Sequence, residues 1–412
     1  MPPPARDLLI CDLTNSYSPF GGGGISTYLR EKRDYVLAHT GHRLLQIVPG
    51  PQDKLVEDGR HIWCEVGAEE VRGSPNYRFI WRTGKVREVL AKYRPDLIES
   101  MCPWILPWTA IRHSRVHPAC ALVAGYHTDF PDAHVARVAD DVGGPVFREV
   151  MRFLSHCYGE ITYREYDRLF TLGYENLRAL EKMKVDHVDL LDLGVDTSIF
   201  TPAAADPNYR AEVGLAGEGP LLIYAGRIDN EKRADRLLAM FRALPESQGA
   251  GLVMLGEGKL RDRLMDEAQG LNIAFPGFIE NRRSLARALA SSDVYVSAMA
   301  DETFGISVIE AQSCGLPVVG VAAGAMPARV PPELGRLAPR DDMAAMARLV
   351  EEVCAGDPAA MGRAARAHVE ANFSWKRTFD RLFGTIYPRA FDARALRNRR
   401  RERGVFGALA ES

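Results

Sequence analysis

Two glutamates, Glu302 and Glu310, and two cations, Arg227 and Lys232, have the chemistry to hold a phosphorylated ligand rich in hydroxyls. A carboxylate accepts hydrogen bonds from sugar hydroxyls. Arginine grips phosphate oxygens as a fork, and lysine neutralises them as a point charge. Seven residues separate Glu302 from Glu310, and Phe304-Gly305-Ile306 follows the first acid. Eight steps along an α-helix advance about 12 Å. A helix beginning near Gly305 therefore puts Glu310 on its second turn and leaves Glu302 in the loop before it. Gly305 has no Cβ to keep a ligand off the backbone. The N–H groups of Gly305, Ile306 and Ser307 are expected to face an anion, reinforced by the helix dipole. The alternative is a capped helix with two solvated glutamates and a pair of surface cations.

These groups need elements to place them. Asp293 to Ser297 reads as a buried strand running into the acidic loop, and Pro317 to Val321 as the next strand, with Gly324 at a turn beyond it. Leu221 to Gly226 reads as a strand whose turn into the Asp235–Leu244 helix carries Arg227 and Lys232. Gly251 to Leu255 and Ile273 to Ile279 supply further strands, the second ending in Phe278-Ile279. Earlier in the chain, Leu8 to Leu13 is a strand followed by Gly21 to Gly24 and a helix from about Ile25 to His39, a corner suited to phosphate. The dinucleotide form of that corner needs a third spaced glycine and an acid about 20 residues on. Ser26 or Thr27 stands at that glycine and the next strand ends in Pro49-Gly50, so NAD is not expected. Ala121 to Tyr126 is a strand ending in His127-Thr128-Asp129-Phe130-Pro131, which puts His127 and Asp129 where open α/β sheets bind ligands.

The run from Ser297 to Val319 resembles the donor-site signature of the retaining, nucleotide-sugar-dependent glycosyltransferases of family 4. That pattern has a first Glu, an aromatic-Gly-aliphatic step, a second Glu and a Cys-Gly-Leu-Pro-Val turn, here Cys314 to Val318. Gly226-Arg227 with Lys232 resembles the family's diphosphate clamp. Gly22, Gly23 and Gly24 resemble its acceptor-side glycine loop, and Val188 to Pro202 the segment closing its first domain. The resemblance implies an α/β protein of GT-B fold, two Rossmann-like domains facing a cleft, with the last helix returning to the first domain. The expected division is 1–200 with 376–412 for the acceptor side, and 201–375 for the donor side, joined by an Ala-, Pro- and Gly-rich linker after residue 202.

The same resemblance implies roles. Arg227 and Lys232 hold the diphosphate, Glu302 a donor-sugar hydroxyl and Glu310 the ribose. His127 lies near the transferred sugar with Asp129. Gly226, Phe304, Gly305, Ile306 and Ser307 line the donor, and the backbone at Phe278 and Ile279 flanks the base. The expected reaction is retaining, metal-independent transfer of a hexose from a nucleoside diphosphate sugar to a lipid-linked or saccharide hydroxyl. The segment His127 to Pro131 is similar to members that often use GDP-mannose, which puts mannose ahead of a UDP-hexose. The rivals are a sugar-nucleotide epimerase or phosphorylase of the same fold, and a non-catalytic nucleotide-sugar-binding subunit. The pyridoxal lysine motif of phosphorylases is missing, and the clamp and acid expected to be lost in a scaffold are present.

Composition sets outer bounds. The chain has 412 residues, which favours two domains, and its 46% apolar and 26% charged residues describe a globular protein. A formal charge of −2 argues against nucleic acid as a partner. Seven scattered cysteines without a Cys-x-x-Cys pair favour reduced thiols in a cytoplasmic protein. No Asp-x-Asp metal motif occurs, and no cofactor is expected. Arg389 to Arg403 holds seven arginines against Asp392 and Glu402. That run reads as a solvated helix, or as a site docking the protein peripherally on anionic membrane, with Arg30-Glu31-Lys32-Arg33 adding charge.

Overall fold

The computed structural model describes residues 6–17, 24–71, 78–245 and 249–410. Gly22 and Gly23 lie outside the described residues, while Gly24 opens the Gly24–His39 helix. The chain forms two units, one of residues 1–192 with 378–412 and one of 193–377.

The first unit is built on a sheet whose central strands, Leu9–Leu13, Leu97–Ser100 and Ala121–Tyr126, are buried on both faces, as helices on both sides of a parallel sheet require. Its strands are β1 (Leu9–Leu13), β2 (Arg43–Gly50), β3 (Lys54–Asp58), β4 (His61–Gly67), β7 (Leu97–Ser100), β8 (Ala121–Tyr126), β9 (Arg168–Thr171) and β10 (Val188–Leu190). Between them β5 (Glu69–Glu70) and β6 (Arg78–Phe79) make a small separate antiparallel pair. The order across the large sheet is β10-β9-β8-β7-β1-β2-β4-β3. Every pairing is parallel except β3 with β4, and β3 is the exposed edge. From β1 the chain moves one way to β2 and returns to the other side at β7, so the sheet reverses direction between β1 and β7.

That reversal holds a buried charge cluster. Lys32 is fully buried and salt-bridged to Asp12 of β1, and its Nζ is 3.1 Å from Glu99 of β7. Tyr28 and Tyr387 donate to Glu99 at 2.9 and 2.6 Å, and Gln46 donates to Asp12 at 3.0 Å. Lys32 is therefore an interior cation and takes no part in any surface patch around Arg30.

The second unit has a six-stranded, wholly parallel sheet of β11 (Leu221–Ala225), β12 (Gly251–Leu255), β13 (Ile273–Gly277), β14 (Val294–Ser297), β15 (Val318–Val321) and β16 (Gly335–Ala338). Its order is β13-β12-β11-β14-β15-β16, which places the reversal between β11 and β14. Residues after Asp192 join this unit because Val195 N–H donates to Phe373 O at 3.0 Å. Gly194 lies so close to Trp375 that a Cβ would stand 2.1 Å from its nitrogen. The expected linker is ordered structure. Tyr209 is buried in it beneath Arg287, whose guanidinium carbon is 5.5 Å from the ring centroid. Arg287 Nε donates to Asp206 at 2.9 Å and Nη1 to Glu212 at 3.1 Å. Composition alone reads Ala, Pro and Gly as flexible, but these two acids tie the segment down.

The helical tail breaks at Asp357-Pro358, where the Asp357 side chain caps Ala360 N–H at 2.8 Å, and again at Phe373-Ser374. Its last helix, Tyr387–Ala410, packs on β8 and β9. Much of the arginine run is spent inside this unit. Arg389 pairs with Asp189, and Arg394 donates to buried Asp167 at 2.8 Å. Arg397 donates to the carbonyls of Arg164, Glu165 and Tyr166.

Candidate active site

In an open parallel sheet the crevice for a ligand opens where the strand order reverses, beyond the carboxyl ends of the strands. In the second unit β11 and β14 flank that point, paired in register as Leu222 with Val294 and Ile223 with Tyr295. The loop after β11 carries Gly226, Arg227 and Lys232, and the loop after β14 carries Glu302. The two loops meet. Lys232 Nζ lies 3.5 Å from Glu302 Oε2 and 2.9 Å from Met299 Sδ. Arg227 is exposed and turned onto its own loop, bonded to Asp229 and 2.8 Å from Glu231. Asp229 also accepts the Lys232 N–H at 2.9 Å, so one acid shapes the whole turn. Beneath it, Ile228 N–H donates to Glu257 O at 2.9 Å. Gly256 permits that closeness, since a Cβ there would stand 1.9 Å from Gly226 O.

Glu302 is held from three sides. Its Oε1 accepts the Gly305 N–H at 3.1 Å, and its backbone oxygen accepts Ala325 N–H at 2.7 Å. Gly324 makes room for the second contact, because a Cβ would lie 2.6 Å from Glu302 O. Gly305 caps the Ile306–Ser313 helix with φ 85° and ψ 51°, a left-handed conformation that disfavours other residues. The Gly305 N–H, expected to face a bound anion, is here taken by the Glu302 carboxylate. The Ile306 and Ser307 N–H groups, in the first turn of that helix, have no backbone partner among the described residues. Phe304 faces the interior. Its ring meets Phe373 edge-on at 6.1 Å and lies under the Arg329 guanidinium, so its side chain packs the loop.

Glu310 is buried and bonded to Arg282 Nη1 at 2.8 Å. Arg282 was not expected. Asn281 caps its helix by accepting from Arg283 and Ser284 N–H, and Phe200 lies under the guanidinium at 4.5 Å. Asn281 before a helix is a sequence signal for the cap, whereas nothing local signals the ion pair. Phe278 is exposed and Ile279 half-buried, following Gly277 at φ 88° beyond β13, two strands from β11.

His127 and Asp129 belong to the first unit, beyond the carboxyl end of β8. His127 sits edge-on to Tyr28 and Phe170, at 6.2 and 5.7 Å. Its Nε2 is buried without a partner among the described residues, and burial pulls the imidazole down to about 4 against the opposing pull of Glu99. Asp129 accepts from Tyr126 Oη at 3.0 Å, and burial raises its carboxyl.

Comparison with known proteins decides the family. The profile of glycosyltransferase family 4 matches residues 22–199, and that of the glycosyl transferases group 1 matches residues 205–368. The chain is a glycosyltransferase. Among its relatives is a GDP-mannose-dependent alpha-(1-6)-phosphatidylinositol dimannoside mannosyltransferase of Mycobacterium tuberculosis. It is 28% identical over 389 residues, 93% of this chain and 97% of that protein. A D-inositol 3-phosphate glycosyltransferase of Mycolicibacterium smegmatis is 30% identical over 294 residues, 67% of this chain and 64% of that one. Sucrose-phosphate synthase from Thermosynechococcus elongatus shares the fold, with TM-score 0.74 and 22% identity over 94% of this chain and all of that one. The glycosyltransferase thus has the GT-B architecture.

One consequence concerns His127 of this glycosyltransferase. Its imidazole should be neutral throughout the neutral range, with an NMR titration midpoint below about 5. Stability should fall as pH drops from about 6.5 towards 4, because the unfolded chain takes the proton first. A midpoint near 6.5 would show a ring open to water and unsuited to the buried role.

Proposed function

We propose that this glycosyltransferase moves a mannosyl group from GDP-mannose to a hydroxyl of a lipid-linked saccharide, at the cytoplasmic side of a membrane. Transfer proceeds with retention and without a metal ion. The observation that carries this is Lys232 meeting Glu302 at the sheet reversal, beside the first-turn N–H groups of Ile306 and Ser307. Lys232, Arg227 and those amides neutralise the diphosphate as its bond to the sugar breaks. Arg227 leaves Asp229 and Glu231 to do so. Glu302 orients the mannosyl ring through a hydroxyl, and Glu310, steadied by Arg282, holds the ribose. The Phe278-Ile279 backbone flanks the base, His127 lies near the transferred sugar with Asp129, and Gly24 belongs to the glycine loop of the acceptor-side domain. Retention follows when the departing β-phosphate oxygen takes the acceptor proton on the face it leaves. The C1–O bond to phosphate breaks, the C1–O bond to the acceptor forms, and no enzyme carboxylate enters as nucleophile. Mannose and the lipid-linked acceptor rest on the full-length mycobacterial relative.

Thermal unfolding with a panel of nucleotide sugars tests the donor. GDP-mannose at a hundredfold excess over Kd should stabilise the protein by about 2.7 kcal/mol, and transfer should survive excess chelator. A shift with a UDP-sugar alone would refute mannose. Activity lost to chelator and restored by magnesium or manganese would refute metal independence.

A further inference from the structure

The Arg137–Tyr163 helix is buried along one side and carries large apolar side chains on the opposite, exposed side. Its inner side packs through Ser155, Gly159 and Thr162, with Gly159 so close to Met183 that a Cβ would stand 2.6 Å from the sulfur. On the outer side Val146, Val150, Phe153, Leu154 and Ile161 are each more than half exposed. The positions i, i+4, i+7, i+8 and i+15 fall on one stripe about 100° wide. A helix on a protein surface ordinarily turns a polar face outward, and a contiguous apolar stripe there marks a binding surface. Gly144, at φ 72° and ψ −170°, and Pro145 kink the helix where the stripe begins.

Charge identifies what covers it. Arg148 and Arg152, beside the stripe, are offset by Asp132, Asp140 and Glu149, so this helix is close to neutral. The cations come from the last helix. Arg397 donates to the carbonyls of residues 164–166, immediately after the stripe-bearing helix ends. Beyond it Arg399, Arg400 and Arg401 are exposed and make no ion pair among the described residues. A helix that sinks an apolar side into acyl chains beside a basic run that meets headgroups is the chemistry of an anionic bilayer surface. A second copy of the chain would have to offer acids to the same run, and the stripe's own flank is balanced. We propose that the Val146–Ile161 stripe, with Arg399–Arg401, seats the protein on anionic lipid. The inference rests on the surface alone, and its test uses no nucleotide, so its failure would leave the donor reading standing.

The full chain should float with vesicles of phosphatidylcholine containing phosphatidylglycerol, and less with phosphatidylcholine alone. Val150→Asp with Phe153→Asp should lower partition at least tenfold while the thermal midpoint stays put, since both side chains are exposed. Phe153→Leu, which keeps the stripe apolar, should retain binding. Arg399→Glu with Arg401→Glu should abolish the preference for the anionic lipid, and salt should act likewise. Equal partition of wild type and the double aspartate variant would overturn the proposal. So would a dimer that the same substitutions split while vesicle binding persists, which would assign the stripe to contacts between copies.

Discussion

Lys232→Ala lowers kcat/KM for sugar transfer at least a hundredfold, a loss of about 2.7 kcal/mol in transition-state stabilisation. The size follows from position. Lys232 is one-quarter exposed and Glu302 about one-eighth, so charge at this point is only partly screened by water. Removing the ammonium withdraws a countercharge from the diphosphate just as its charge grows. It also leaves the Glu302 carboxylate unpaired beside that anion, adding repulsion to the loss. Arg227→Ala should cost less, about thirtyfold, because Arg227 must first give up Asp229 and Glu231. Steady-state kinetics on both variants checks the order. Turnover near wild type in Lys232→Ala would remove it from the diphosphate site.

Lys32→Met should destabilise the protein by about 3–5 kcal/mol, the cost of leaving a buried charge without its partner. Asp12, Lys32 and Glu99 are all fully buried, two acids to one base, and the variant keeps the acids. The penalty should depend on pH. Burial, helped by Glu99 and opposed by Lys32, pushes the Asp12 carboxyl up to about 6. The folded state therefore binds the proton first as pH falls, and Asp12 costs stability as pH rises from about 4 to 6. Without Lys32 the carboxyl rises further and the window extends above 6. Urea unfolding at pH 5 and pH 8 should show the larger loss at pH 8. A loss below about 1 kcal/mol, or one independent of pH, would mean the cluster is neutralised in some other way.

What the sequence by itself determined is local. The strand, glycine and helix around Gly305 were legible because a left-handed cap and a buried apolar run leave their mark within a few residues. The same holds for the turn carrying Arg227 and Lys232, and for the strand that delivers His127. The tertiary structure decided which of these meet. Nothing near Lys232 announces Glu302, since their closeness comes from β11 and β14 lying side by side in the sheet. Glu310 gained Arg282 in the same way, across 28 residues of chain. Phe304 looked like a ligand contact and became packing, because Arg329 and Phe373 arrive from elsewhere to cover it. The charged runs misled most. Lys32 reads as one cation of a surface run that could add charge to a membrane site, yet two acids from separate strands draw it inside. Arg389 and Arg394 read as a basic tail, yet Asp189 and Asp167 claim them from 200 and 227 residues away. Periodicity and backbone strain are properties of neighbouring residues. The fate of a charge is set by whichever countercharge the fold brings to it, and that partner has no fixed place along the chain.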